Sequence, residues 1–387
     1  MILVTVTMGA LLLLEVGALA MLILNCRGVA APGKQPPREP SCALPFVSVL
    51  VPARNEERNI RDCVESLMAQ DYPRFEVIVS DDRSEDRTGE ILEELKGRYA
   101  NLRVVRPAAP PSDWVSGKSH ALWHAAHEAR GEWLLFVDAD MRLYPCALRA
   151  AMQYGLESEA DLFSAMPGID CVGFWERAVL PAIARLYMIS APLWKVSDPA
   201  SGVVAGTGPF MLFRRSAYEA IGGHQAVKGQ RVEDVELARL VKMNGLKLRF
   251  VLGTFLSHGR QYCSLREMVR GISRQYFLGL RGNAFWAVVG VVFTLGVSVV
   301  PYVALVAFAT LWALEPGVRA WDVGVALALA QCGVIAACHV VLRRCYGVCG
   351  GSLLLHPVGG AMSAFIMARS TLHGLCGKAA EWRGRKC

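Results

Sequence analysis

The chain has 387 residues, 53% of them hydrophobic and only 19% charged, and its mean hydropathy is +0.32. That balance excludes a disordered or collagen-like chain and points away from a wholly soluble enzyme. The net charge of +7 comes without a long basic run, so it suits lipid headgroups or phosphate-bearing substrates rather than nucleic acid.

Ile2–Leu24 is apolar except for Glu15 and long enough, at about 20 residues, to cross a bilayer. No positive charge precedes it, as a cleaved signal peptide would require, while Arg27, Lys34 and Arg38 follow it. Residues 1–26 therefore read as a retained anchor whose C-terminal side is cytoplasmic. Residues 27–45, with Pro32, Pro36, Pro37, Pro40 and Pro45, read as a linker.

From 46 to 283, strand-length apolar runs alternate with helical patterns. Phe46–Ala53, Phe75–Asp82, Asn101–Arg106 and Glu132–Asp140 read as strands; Asn59–Gln70, Thr88–Tyr99 and Ser119–Ala129 read as helices. This alternation predicts an α/β domain with a mostly parallel sheet, its strands apolar because both faces are covered. No G-x-G-x-x-G follows the first strand, which disfavours a dinucleotide oxidoreductase. Trp175–Trp194 reads either as a core helix or as an amphipathic element on the membrane, and Ser264–Leu280, with Arg266, Arg270 and Arg274, as a basic helix near headgroups.

Residues 284–387 form a second membrane region. Ala284–Leu314 and Val323–Leu342 read as spans; Leu353–His373, which carries His356, Pro357 and Arg369, reads as re-entrant or interfacial because a full crossing opposes the charge rule. The twelve cysteines are scattered without a C-x-x-C and predict free thiols in a reducing compartment.

Ligands of parallel α/β sheets bind beyond the C-terminal strand ends, and the polar residues gather there: Pro52-Ala53-Arg54-Asn55-Glu56, then Asp81-Asp82, then Asp138-Ala139-Asp140. Carboxylates on one rim repel unless a cation compensates, and a hard divalent metal holding a diphosphate does so. Asp138 and Asp140, two apart on an extended segment, are expected on one side. Glu233 and Asp234 open a helix, where only one of them can face an acceptor, and spacing leaves open which.

In order and spacing, these motifs, with Gly117-Lys118 and Glu233-Asp234, resemble glycosyltransferase family 2 over roughly Val47 to Arg281. The segment from Gly206 to His224 is similar to membrane-bound members such as the diaponeurosporenoate and hopanoid-associated glycosyltransferases. The resemblance implies a GT-A fold, Rossmann-like, between N- and C-terminal transmembrane helices. It implies that Pro52, Arg54, Asn55, Glu56, Asp81 and Asp82 hold the nucleoside and that Lys118 lies near the base or phosphates. Asp138 would place the ribose and, with Asp140, bind Mg²⁺ or Mn²⁺. Asp234 would be the catalytic base, and Arg274, the arginine kept in Gly271-Ile272-Ser273-Arg274-Gln275, would offset charge on the leaving group. The implied reaction is inverting transfer from a nucleotide-sugar to a lipid or isoprenoid acceptor, at the cytoplasmic face of the inner membrane. The alternatives are a processive polysaccharide synthase and a catalytically inactive membrane scaffold.

Overall fold

The computed structural model describes residues 2–32, 44–280, 282–348, 353–376, 381–382 and 385–386; Lys34, Arg38 and Arg281 lie outside them, as does the side chain of Arg274. In chain order, α1 (Ile2–Gly28) leads to β1 (Val47–Ala53), α2 (Ile60–Met68), β2 (Phe75–Asp81), α3 (Thr88–Arg98), β3 (Leu102–Val105) and α4 (Gly117–Glu128). Next come β4 (Trp133–Val137), β5 (Met141–Leu143), α5 (Ala147–Glu157), β6 (Leu162–Met166), β7 (Gly168–Ile169) and α6 (Phe174–Ile189). They are followed by β8 (Phe210–Arg214), α7 (Arg215–Ala220), α8 (Gly223–Ala226), α9 (Glu233–Met243), β9 (Leu248–Leu252) and β10 (Ser257–Gly259). Five helices follow, α10 (Leu265–Gly279), α11 (Ala284–Ser298), α12 (Val300–Leu314), α13 (Arg319–Tyr346) and α14 (His356–Leu375), and then the antiparallel pair β11 (Glu381–Trp382) and β12 (Arg385–Lys386). These elements fall into two compact units.

The sheet unit comprises Val29–Ile169, Leu193–Gln261 and Glu381–Cys387. Its seven-stranded sheet has the order β3-β2-β1-β4-β8-β6-β9. All neighbours pair parallel except β8, which is antiparallel to both β4 and β6. The apolar strands are buried as expected: Val49, Val51, Val77, Val79, Leu135 and Phe163 show no exposure. Helix α2 turns Ile60, Cys63, Val64 and Leu67, spaced at three and four, into the same core. Helix α4 starts at Ser116, whose hydroxyl accepts from the Ser119 amide at 3.2 Å. The β1–β4 ladder stops at Leu50↔Phe136, so Pro52, which lacks an N–H, stands beyond it. A small sheet, β5-β10-β7, continues from the end of β4.

The helical unit comprises Met1–Gly28, Asp170–Pro192 and Tyr262–Ala380. Among the described residues, α1 and α13 are each long and apolar enough to cross a membrane, and α11 with α12 add a third crossing if the bent pair is one span. The expected single run Ala284–Leu314 is thus two helices meeting at 41°. Pro301, at the start of α12, has no N–H for the preceding turn and crowds its carbonyls, which accounts for the bend. Helices α1 and α13 run side by side in the same direction. Gln331 donates to the Met8 carbonyl at 2.8 Å, Tyr346 donates to the Leu22 carbonyl at 3.2 Å, and Cys26 is disulfide-bonded to Cys345. Arg27, Arg343 and Arg344 therefore share one end of the pair. The disulfide corrects the expectation of free thiols: helix register joins cysteines 319 positions apart, and no local spacing reveals that.

Helix α6 buries Val179, Leu180, Ala182 and Met188 inside the helical unit and leaves Phe174 and Tyr187 exposed. Its Arg185, 2% exposed, forms an ion pair with the fully buried Glu15 of α1. Arg185 also reaches the Val297 carbonyl and His356 Nε2, each at 3.4 Å, and His356 Nδ1 lies 3.0 Å from His339 Nε2. Asn25 of α1 donates to the Met188 and Ala191 carbonyls at the end of α6, at 2.6 and 3.1 Å. Helix α14 meets its neighbours through small residues, Gly359 lying on the Ala178 carbonyl of α6 and Gly360 on Ser298 of α11.

A buried ion pair that loses one partner leaves an uncompensated charge. Glu15→Leu alone should therefore destabilise the chain by about 3–5 kcal/mol, whereas Glu15→Leu with Arg185→Leu should recover most of that loss. Melting of the four proteins of this double-mutant cycle in detergent checks it; additive losses would show that the pair contributes no coupling.

Candidate active site

The carboxyl ends of β1 and β2 carry one acidic cluster, and arginines neutralise it. Arg54, 5% exposed, donates to the Asp82 carbonyl at 2.7 Å and approaches its carboxylate at 3.8 Å. Arg83 donates to Asp82 Oδ1 at 2.9 Å, and Arg106 lies 3.6 Å from Asp81. Asn55 adopts a left-handed backbone, φ 53°, which asparagine tolerates. From there its amide donates to the Ser84 hydroxyl at 3.0 Å and its side-chain oxygen accepts from the Glu85 amide at 2.8 Å. Glu56 is fixed similarly, its amide on Thr88 Oγ1 at 2.8 Å and its carboxylate accepting from Asn59 at 3.0 Å. The two loops are stitched into one rim. The expected repulsion among Asp81, Asp82 and their neighbours is met by built-in guanidinium groups.

A second cluster gathers around Lys118, near the start of α4. Its ammonium lies 2.7 Å from Asp138 Oδ1, just past β4, and 3.4 Å from Glu233 at the start of α9. Burial alone would lower the Lys118 pKa, but the charges of Asp138 and Glu233 outweigh it and hold the group protonated. Beside them, Asp234 Oδ2 accepts from the Gly208 amide at 2.8 Å and Oδ1 from the Val235 amide at 2.8 Å. Burial and the adjacent Glu233 charge raise Asp234 from the usual aspartate range to about 6, against the lowering pull of Lys118 and the two amides. Glycines make this closeness possible. A Cβ on Gly208 would stand 2.9 Å from the Lys118 ammonium, and one on Gly206 2.6 Å from the Asp234 carbonyl.

Asp138 and Asp140 are not on one extended strand. β4 ends at Val137, and the Met141 amide bonds the Asp138 carbonyl at 3.1 Å, closing a turn, so alternation along a strand does not fix their sides. β10 packs beside this turn, where a Cβ on Gly259 would lie 2.7 Å from the Asp140 carbonyl. Carboxylates from several elements act on one point: burial first, then the charges of Asp140, Glu56 and Asp138, push the Cys63 thiol of α2 up. The oxygen donors suit a hard divalent cation. Among the described residues, however, no three His, Cys, Asp or Glu side chains stand close enough together to ligate an ion unaided. The set therefore fits an ion that arrives with phosphate and water ligands of its own.

The structure thus brings together Lys118, Asp138 and Asp234 from the sequence reading, and separately Arg54, Asn55, Glu56, Asp81 and Asp82. Pro52 lies on β1, where it pairs with Ser80, and Asp140 closes the turn after Asp138. Arg274 belongs to α10 of the helical unit. Gly206 and Gly208 were legible only as a Gly-x-Gly before β8; their approach to Asp234 and Lys118 was not.

Residues 48–222, just under half the chain, match the family described as glycosyl transferase family 2. The chain is 32% identical over 183 residues to the beta-monoglucosyldiacylglycerol synthase of Synechocystis sp., covering 46% of this chain and 37% of that protein. It is 28% identical over 237 residues to the 4,4'-diaponeurosporenoate glycosyltransferase of Staphylococcus haemolyticus, covering 60% and 61%. The matches thus span less than two thirds of these relatives' lengths. A mannosyltransferase from Pyrobaculum calidifontis, solved with GDP-Man and Mn²⁺, has the same fold: TM-score 0.50, 18% identity, 97% of this chain and 99% of that one covered.

A methyl group at Gly206 would collide with the Asp234 carbonyl and stand 3.1 Å from the Ala238 Cβ. Gly206→Ala should therefore cost about 1–3 kcal/mol and part Gly208 from Asp234. Hydrogen exchange should show a faster Gly208 amide; unchanged protection there would contradict this packing.

Proposed function

We propose that the chain, whose residues 48–222 match glycosyl transferase family 2, transfers one sugar, with inversion, from a nucleotide-sugar to a lipid or isoprenoid hydroxyl at the cytoplasmic face of a membrane. The observation that carries this reading is Asp234: a half-buried carboxylate raised to about 6, oriented by two amides and set beside the Lys118–Asp138 pair. A carboxylate so placed is ionised at neutral pH yet basic enough to take a proton.

In this mechanism the Arg54–Asp82 rim and Asn55 receive the nucleoside, and Asp138 orients the ribose. Asp140 and Asp138 would hold Mg²⁺ or Mn²⁺, which when bound supplies positive charge against the leaving diphosphate. Asp234 accepts the proton of the acceptor hydroxyl. The acceptor oxygen bonds to the anomeric carbon as the bond to the diphosphate oxygen breaks, and the nucleoside diphosphate leaves with that electron pair. One displacement from the opposite face inverts the centre. The lipid class of acceptor is supported by the names of the two relatives and by the apolar helices.

The cytoplasmic face is supported by the shared Arg27, Arg343 and Arg344 end of α1 and α13. The Cys26–Cys345 disulfide, at that same end, favours the opposite orientation, because disulfides persist in oxidising compartments. Cys63 is buried and unsuited to labelling, whereas Cys263 is exposed. We expect Cys263 to react with a membrane-impermeant maleimide only after cells are lysed; reaction in intact cells would establish the opposite orientation.

Asp234→Asn keeps shape but cannot take a proton, so transfer should fall by ~10²–10⁴-fold with nucleotide affinity within a few-fold of wild type. In the wild type the ionised fraction of Asp234 grows as pH rises through about 6, so single-turnover transfer should climb there and then level off. Full activity of Asp234→Asn, or a rate flat across that range, would remove Asp234 from the role of base.

A further inference from the structure

The acidic pocket poses a question that metal chemistry alone does not answer. Asp138, one of the two carboxylates proposed to hold a divalent ion, faces an ammonium. Lys118 Nζ is 2.7 Å from Asp138 Oδ1 and 3.4 Å from Glu233 Oε1. A Cβ on Gly208 would lie 2.9 Å from that Nζ, 3.5 Å from Asp234 Oδ2 and 3.9 Å from Asp138 Oδ2, so all these groups share one small volume. Lys118 is placed by the fold rather than by chance of rotamer: it is the second residue of α4, behind the Ser116 cap, and Gly208 leaves the space its head fills.

We propose that Lys118 is the built-in counter-cation of this pocket, occupying in the donor-free protein the place of a divalent ion, so that the pocket takes metal only together with a diphosphate. Two cations about 4 Å apart repel, by on the order of tenfold in affinity in a water-like dielectric and by more in a buried one. A divalent ion alone must overcome that repulsion at Asp138. A diphosphate brings the negative charge that lets ammonium and ion coexist, the lysine hydrogens turning towards phosphate oxygens. Lys118 is thus a positioning residue, and the pocket is protected from ligating free metal without substrate. This deepens the nucleotide-sugar reading and rests on it.

The test is Mn²⁺ binding to the full chain in detergent, followed by electron paramagnetic resonance with and without uridine or guanosine diphosphate. Lys118→Met removes the cation at similar length, and Lys118→Arg keeps it. Without nucleotide, Lys118→Met should bind Mn²⁺ about tenfold or more tightly than wild type, and Lys118→Arg should stay within about threefold of it. Either diphosphate should tighten Mn²⁺ on the wild type and do so much less on Lys118→Met. Donor-free Mn²⁺ affinity no higher in Lys118→Met than in wild type would overturn the proposal. So would wild-type binding that is equally tight with and without diphosphate, a result that does not need the variant to fold. Sugar transfer by the same wild-type preparation is scored separately, so loss of this inference and loss of the transferase reading are distinguishable.

Discussion

Four charges drawn from three separate elements meet in the sheet unit: the Lys118 ammonium of α4, Asp138 beyond β4, and Glu233 with Asp234 at the start of α9. Like-charged carboxylates at this spacing cannot all stay ionised in a half-buried pocket without a partner. Lys118 supplies one, and its choice among them divides their labour. Asp138 and Glu233 are engaged by the ammonium. Asp234 is held instead by the Gly208 and Val235 amides, which orient it without removing its basicity. A single carboxylate able to take a proton is what a single displacement requires, whereas a double displacement needs a nucleophile as well.

The helical unit follows the same logic in apolar surroundings. Glu15 would be costly inside a span, and Arg185 of α6 answers it. Asn25 takes up the last carbonyls of α6, and Gln331 and Tyr346 fasten α13 to α1. The N-terminal helix is therefore a packed member of this unit. Small residues on α14 allow its close approach to α6 and α11.

Much of this was legible in the chain. The strands β1, β2 and β4 announced themselves as runs of Val, Ile, Leu and Phe, because strands covered on both faces need apolar residues at nearly every position. Their acidic ends were visible too. What stayed hidden depends on partners distant in sequence. The Arg54–Asp82 contact, the Lys118–Glu233 pair, the Glu15–Arg185 pair and the Cys26–Cys345 bond are set by tertiary register, which periodicity does not report. The turn after Val137 was missed because Asp-Ala-Asp reads equally well as strand end or turn. The bend at Pro301 was signalled by the proline itself, yet the apolar run on either side masked it.

The stereochemistry of transfer bears most directly on the claim that Lys118 engages its neighbours and leaves Asp234 to act alone. With a donor of defined anomeric configuration, proton nuclear magnetic resonance of the first product formed, recorded before any mutarotation or hydrolysis, reports the outcome. The account predicts a product of inverted configuration. Retained configuration would contradict displacement from the opposite face, and with it the division of roles read from the pocket.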